Sequence, residues 1–103
     1  MSAKKNSKKI YFTITGMNHF HGQAFLKPGM KIRLEKEPDN PFDKEAILVS
    51  VEGLGPIAHV ANSAHTVKGD SYSAGRMYDC FKKRAVGKVK LVLDYGAICV
   101  LKL

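Results

Sequence analysis

A chain of 103 residues with 45% hydrophobic content and a formal net charge of +8 suits a single domain with a core of its own. No apolar run reaches the ~18–20 residues that cross a bilayer, and no apolar leader core marks the N-terminus, so no membrane association and a cytoplasmic location are expected. Cys80 and Cys99 form no CxxC pair, which points to reduced, structural thiols and not to a disulfide framework.

The charge is unevenly placed. Residues 1–9 hold four Lys and no acid, residues 10–61 hold five basic against six acidic groups, and residues 62–103 hold eight basic against three acidic. Attraction to a polyanion must come from the two ends of the chain, not from its middle.

Residues 1–9 lack hydrophobic periodicity and read as a disordered basic arm, or equally as a solubilising terminus, ahead of one domain over residues 10–103. Ile10–Thr15 alternates Ile10, Phe12 and Ile14 with Tyr11, Thr13 and Thr15, the pattern of a half-buried strand. Gly16–Gly22 follows as a glycine-bounded loop projecting Asn18, His19, Phe20 and His21. Lys27-Pro28-Gly29 is a turn, and Lys31–Lys36 places Ile32 and Leu34 between charged residues as a second half-buried strand. Ala46–Val51 is a strand, Glu52–Pro56 a turn, and Ile57–Val60 a short strand.

Asn62 or Ser63 is positioned to cap a short helix reaching about Lys68. After a break at Lys68–Ser73, the spacing of Ala74, Met77, Tyr78 and Phe81 predicts an amphipathic helix over Ser73–Ala85, closed by Gly87. Its end, Lys82-Lys83-Arg84, either complements the helix dipole or contacts phosphate. Lys88–Leu93 and Ala97–Leu103 read as a hairpin around Asp94-Tyr95-Gly96. Five or six short strands with two short helices imply a mainly β, OB-like, partly closed barrel. Barrels of that kind present strands and loops to single-stranded nucleic acid.

The most structured stretch of sequence is Leu34–Val51, LEKEPDNPFDKEAILVSV. Pro38 and Pro41 fix φ near −65° and push Glu37 and Asn40 out of the helical region. Asp39, Asn40 and Asp43 carry short side chains that bond nearby backbone and favour turns. The expected product is a stiff corner between two strands. Such a corner can hold Asn40, Phe42 and Asp43 at fixed directions for binding, or it can tuck Phe42 into the core. Local chemistry allows both.

EPDNPFDKEAILV, with the strand end ITG ahead of it, resembles the HIRAN domain, a small β-rich module of SWI2/SNF2-type DNA translocases and of short free-standing bacterial and phage proteins. The signature is met at Glu37, Pro38, Asn40, Pro41, Phe42, Asp43, Ala46 and Ile47, and the likeness runs from about Phe12 to about Val67. The resemblance implies a module that holds a single-stranded DNA end. Phe42 would stack on or flank the terminal nucleotide, and Asp43 would accept a hydrogen bond from a 3′-hydroxyl. Asn40 would steady the corner or contact the sugar-phosphate backbone, and His19 and Phe20 would form the opposite wall. The chain departs from the family at Asn18 and His19, where a basic residue and an aromatic are usual, and at Asn62, near which a basic residue is common.

Other chemistry is thinly supported. The chain lacks a GxxxxGK[ST] phosphate loop, so no ATP-driven motor is expected. His19, His21, His59 and His65 share no recognised metal spacing, and the two prolines and missing glycine spoil Asp39, Asn40 and Asp43 as a calcium loop. No nucleophile elbow occurs, so neither an enzyme nor a metal or other cofactor is expected. The reading is a module for single-stranded DNA or DNA ends, with Lys82, Lys83 and Arg84 as phosphate-attracting candidates. The alternative is a protein-interaction domain that keeps the fold around a decayed DNA site.

Overall fold

The computed structural model describes residues 9–63 and 65–102. The basic arm expected over residues 1–9 therefore falls, apart from Lys9, outside the described residues, as do Ala64 of the first expected helix and Leu103 of the last expected strand.

Six strands form one closed antiparallel barrel: β1 (Tyr11–Thr15), β2 (Lys31–Lys36), β3 (Ile47–Val51), β4 (Gly55–Val60), β5 (Arg84–Val92) and β6 (Gly96–Lys102). Around the barrel they run β1-β4-β3-β2-β5-β6, and β6 pairs back onto β1. The mainly β barrel expected from the sequence is therefore present, and it is closed instead of partly open. Closure leaves no strand edge among the six, which removes the usual template for edge-to-edge pairing.

Alternating apolar residues fill the interior. Phe12 and Ile14 of β1, Ile32 and Leu34 of β2, Ile47 and Val49 of β3, Ile57 of β4, Val89 of β5 and Ala97 and Cys99 of β6 are all buried. Each large aliphatic or aromatic side chain contributes about 1.5–3 kcal/mol through removal from water. Met17 and Leu26 from the first loop, with Ala74 and Met77, join the same core. Thr13 breaks the alternation of β1: it is fully buried on the outer face because the turn at residues 68–71 lies over it.

The helical expectations fare differently. No helix spans residues 62–68; the described residues there form turns. Thr66 N and Val67 N both donate to Ser63 O, a single turn that is not continued, and the other bonds lead away from a helix. Ser63 Oγ accepts from His65 N at 3.1 Å, Lys68 N donates to Thr13 Oγ1 at 3.1 Å, and Asn62 is engaged by residues far away in sequence. The second helix is only α1 (Ala74–Met77), capped by Ser73, whose hydroxyl accepts from Arg76 N. A second helical turn, 3₁₀ in type, covers Met17–His19.

Residues 84 and 85 instead pair with Glu35 and Leu34 of β2, so β5 starts where the helix was expected to end. Cross-strand pairing overrides helical spacing here. The helix-dipole reading of Lys82-Lys83-Arg84 therefore fails, because α1 stops at Met77. Gly87 lies inside β5, where a Cβ would come within 2.9 Å of Val100 O and 3.2 Å of Phe12 Cζ; the missing side chain lets the barrel close. Pro56 belongs to β4 at the register shift opposite Val49/Ser50, a position that tolerates the absent N–H.

Candidate nucleic-acid interface

The corner between β2 and β3 is built from its own side chains. Asn40 N donates to Glu37 O at 3.0 Å, closing the Glu37–Asn40 turn. Asn40 Oδ1 then accepts from both Phe42 N at 2.8 Å and Asp43 N at 3.0 Å. Asp43 Oδ1 accepts from Glu45 N at 2.9 Å, and Ala46 N donates to Asp43 O at 3.0 Å. Short polar side chains thus satisfy the amides of a segment that two prolines keep out of regular structure.

This frame directs Phe42 away from the protein. Its side chain is 95% exposed, so the core-packing alternative for Phe42 is overturned. An aromatic ring left in water forgoes about 1.5–3 kcal/mol that burial would supply. The fixed backbone beneath it means this exposure belongs to the folded corner.

Asn62, two residues beyond β4, fastens the corner to the barrel. Its Nδ2 donates to Asp43 Oδ2 at 3.0 Å and to Glu45 Oε1 at 3.2 Å, while its Oδ1 accepts from Gly75 N at 2.9 Å. One amide therefore joins the corner to α1. Asp43 thereby has one oxygen toward Glu45 N and the other toward Asn62; each carboxylate oxygen can accept a further hydrogen bond.

His59 ties in the first loop. Its Nε2 lies 2.8 Å from Glu37 Oε1, and its ring centroid lies 5.9 Å from that of Phe20 at a 41° tilt. Phe20, 37% exposed, thus leans toward the corner through His59. Asn18 and His19 do not share this position; they line a separate depression with Asp94 and Tyr95 of the β5–β6 turn.

The local charge is acidic. The charges of Asp43, Glu45, Asp39 and Glu37 reach Tyr78, whose Oη is covered and has no hydrogen-bond partner among the described residues. Desolvation first, and then those carboxylates, hold the Tyr78 hydroxyl above its usual pKa. Lys36 is drawn beneath the corner: its Nζ donates to Phe81 O at 2.6 Å and sits 4.6 Å from the Tyr78 ring centroid. Lys83 lines a depression with Pro38, Asp39, Asn40 and Pro41. Arg84 instead reaches Glu35 at 3.4 Å, and Lys82 is exposed.

A family model for the HIRAN domain matches residues 7–67, more than half of the chain. The chain belongs to the HIRAN domain family. Searches of curated proteins and of solved structures each return no match. HIRAN domains are nucleic-acid-binding modules.

Within this HIRAN domain the structure gathers Asn40, Phe42, Asp43 and Asn62 around one corner, with Phe20 joined through His59 and Lys83 beside it. It leaves Asn18 and His19 at the β5–β6 turn. Sequence reasoning missed three participants. His59 stood among four histidines with nothing to single it out, since its partner Glu37 is 22 residues away. Tyr78 read as a helix-face residue, and Lys36 as an ordinary strand lysine. Among the described residues no group of three or more His, Cys, Asp or Glu converges as a metal site, and no helix is long and apolar enough to cross a membrane.

Proposed function

We propose that this HIRAN domain is a binding module, not an enzyme, that captures the 3′-hydroxyl end of single-stranded DNA at the β2–β3 corner. The observation that carries this reading is Phe42, an aromatic ring held 95% exposed on a backbone locked by Asn40, next to an Asp43 carboxylate. A base stacks on the ring, an interaction of about 1–3 kcal/mol. Asp43 accepts the hydrogen bond of the terminal hydroxyl, a charge-assisted contact. The acidic surroundings favour a neutral hydroxyl over a phosphate at this spot, because Glu37, Asp39 and Glu45 add their repulsion to that of Asp43.

The test compares linear and circular single strands of the same sequence as competitors against a labelled linear strand. End capture predicts that circles compete much more weakly than linear strands. Equal competition would leave a single-strand binder that ignores ends.

One observation favours a protein-interaction role instead. Asn62, near which the family commonly carries a basic residue, is committed to Asp43, Glu45 and Gly75 and offers no cation to a phosphate. In that reading neither linear nor circular strands bind.

A further inference from the structure

The corner holds an end, but its acidic character supplies little attraction for the rest of a polyanion. A basic and aromatic groove lies beside it. Asn62 and Ser63 open a depression that continues through Ser71 to Arg76. Ser71 and Arg76 also line a groove of about 610 Å³ with Lys9, Tyr11, Lys68 and Tyr72. The path from Asp43 through Asn62 to this groove is therefore continuous in named residues.

Its floor is held in place by hydrogen bonds to β1. Buried Thr13 Oγ1 accepts from Lys68 N at 3.1 Å and lies 2.8 Å from Ser71 Oγ. Tyr72 N donates to Tyr11 O at 2.6 Å, and Phe12 and Tyr72 form a parallel bridge. Arg76 sits over the Tyr72 ring, its guanidinium carbon 3.8 Å from the ring centroid. Among the described residues Lys9, Lys68 and Arg76 enter no ion pair, and Asp70 is the acid in the groove lining. Three unpaired cations beside Tyr11, 39% exposed, combine phosphate attraction with a stacking face.

We propose that this groove carries the sugar-phosphate backbone of the single strand as it leaves the corner, with Lys68 and Arg76 as its main phosphate contacts. Lys68, Tyr72, Arg76 and Ile98 lie beyond the family-matched residues 7–67, whereas Lys9 and Tyr11 lie within them, so the track joins the two parts of the chain. The inference rests on the end-capture reading and adds the route of the strand.

The experiment measures affinity for 3′-hydroxyl oligothymidylates of about 4 to about 16 nucleotides, the span of single OB-type sites. Wild-type affinity should climb with length and then level off. The Lys68→Gln/Arg76→Gln double variant should lose most of that climb yet keep its preference for 3′-hydroxyl over 3′-phosphate ends. Its salt slope should fall by about 1.4, from about 0.7 per lost phosphate contact on a single strand. Lys31→Gln/Lys90→Gln removes equal charge outside the groove and should keep the climb with length.

If the double variant keeps the climb, or if the Lys31/Lys90 control loses as much, the groove is not the track. Lys68→Gln alone, at an exposed side chain, gives the same comparison should the double variant fold poorly. A wild-type protein without any end preference would overturn the end-capture reading instead. An equal gain with blunt duplexes would identify the groove as a general polyanion surface and overturn the single-strand route.

Discussion

The corner at residues 37–46 and the groove formed by Lys9, Tyr11 and residues 68–76 adjoin each other but are built from opposite chemistry. The corner is acidic, fastened by side-chain to backbone bonds, and presents one bare aromatic ring. The groove is basic, fastened to β1 through Thr13 and Tyr11, and presents cations with no ion-pair partner among the described residues. Under the proposed end capture and backbone track, the difference amounts to a division of labour. Reading the chemistry of an end needs a few fixed groups at short range, whereas holding a polyanion needs charge spread along its length. Separate regions allow each property to be changed without the other.

Both regions hang on one barrel, and alkali tests that dependence with the largest expected effect. Burial pushes the Cys99 thiol from 9.0 up to about 12. The native state therefore retains this proton while the unfolded chain loses it above pH 9, so stability is unaffected below pH 9 and declines as pH rises toward 12. The loss approaches ~4 kcal/mol at about 1.36 kcal/mol per pH unit. Urea titrations from pH 7 to pH 11 check the sign. A stability that rises with pH across this range would contradict the burial of Cys99. Between pH 7 and pH 9, changes in DNA binding then report the surfaces and not this thiol.

Phe42→Leu comes next and separates the corner from the groove. It should cost about 1–3 kcal/mol of affinity, roughly 5- to 160-fold, through lost stacking. The exposed site predicts a stability change within about 0.5 kcal/mol. Melting and binding measured on one preparation decide the matter. A drop in melting temperature without a binding loss would restore the packing role that the structure denies.

Asn40→Ala is the smaller perturbation. It removes the acceptor shared by Phe42 N and Asp43 N and should cost about 1–2 kcal/mol of stability. The end preference should narrow as the corner loosens, while the gain of affinity with strand length persists. A variant that loses the length dependence and keeps the end preference would reverse the assignment of the two regions.

Much of the corner was legible because its determinants are local. Two prolines and three short polar side chains settle the turn within a span of six residues, and the alternation of Ile32 and Leu34 settles β2 without reference to anything distant. The groove was not legible, because its parts come from both ends of the chain and meet only through β1. The same cause explains the misread helices. Asn62 has the side chain of a helix cap, but its partners are 13, 17 and 19 residues away. Tyr78 and Phe81 do fall at helical spacing, yet pairing of Ala85 with Leu34 draws the following chain into β5. Exposure of Phe42 was likewise undecidable from sequence, since a stiff turn can aim its aromatic residue either way.

The most direct test of the end-capture claim compares wild-type binding of two oligonucleotides that differ only at the 3′ terminus, one hydroxyl and one phosphate. On the proposed reading Asp43 would accept a hydrogen bond from the hydroxyl and repel the phosphate, so the hydroxyl strand should bind more tightly. Asp43→Asn should narrow the ratio, because the amide can donate to a phosphate oxygen and carries no charge. In an asparagine the Oδ1 bond to Glu45 N survives while the bond from Asn62 Nδ2 to Oδ2 is lost, so melting is measured alongside binding to show that the fold is kept. Equal binding of both ends by the wild-type protein would contradict the account.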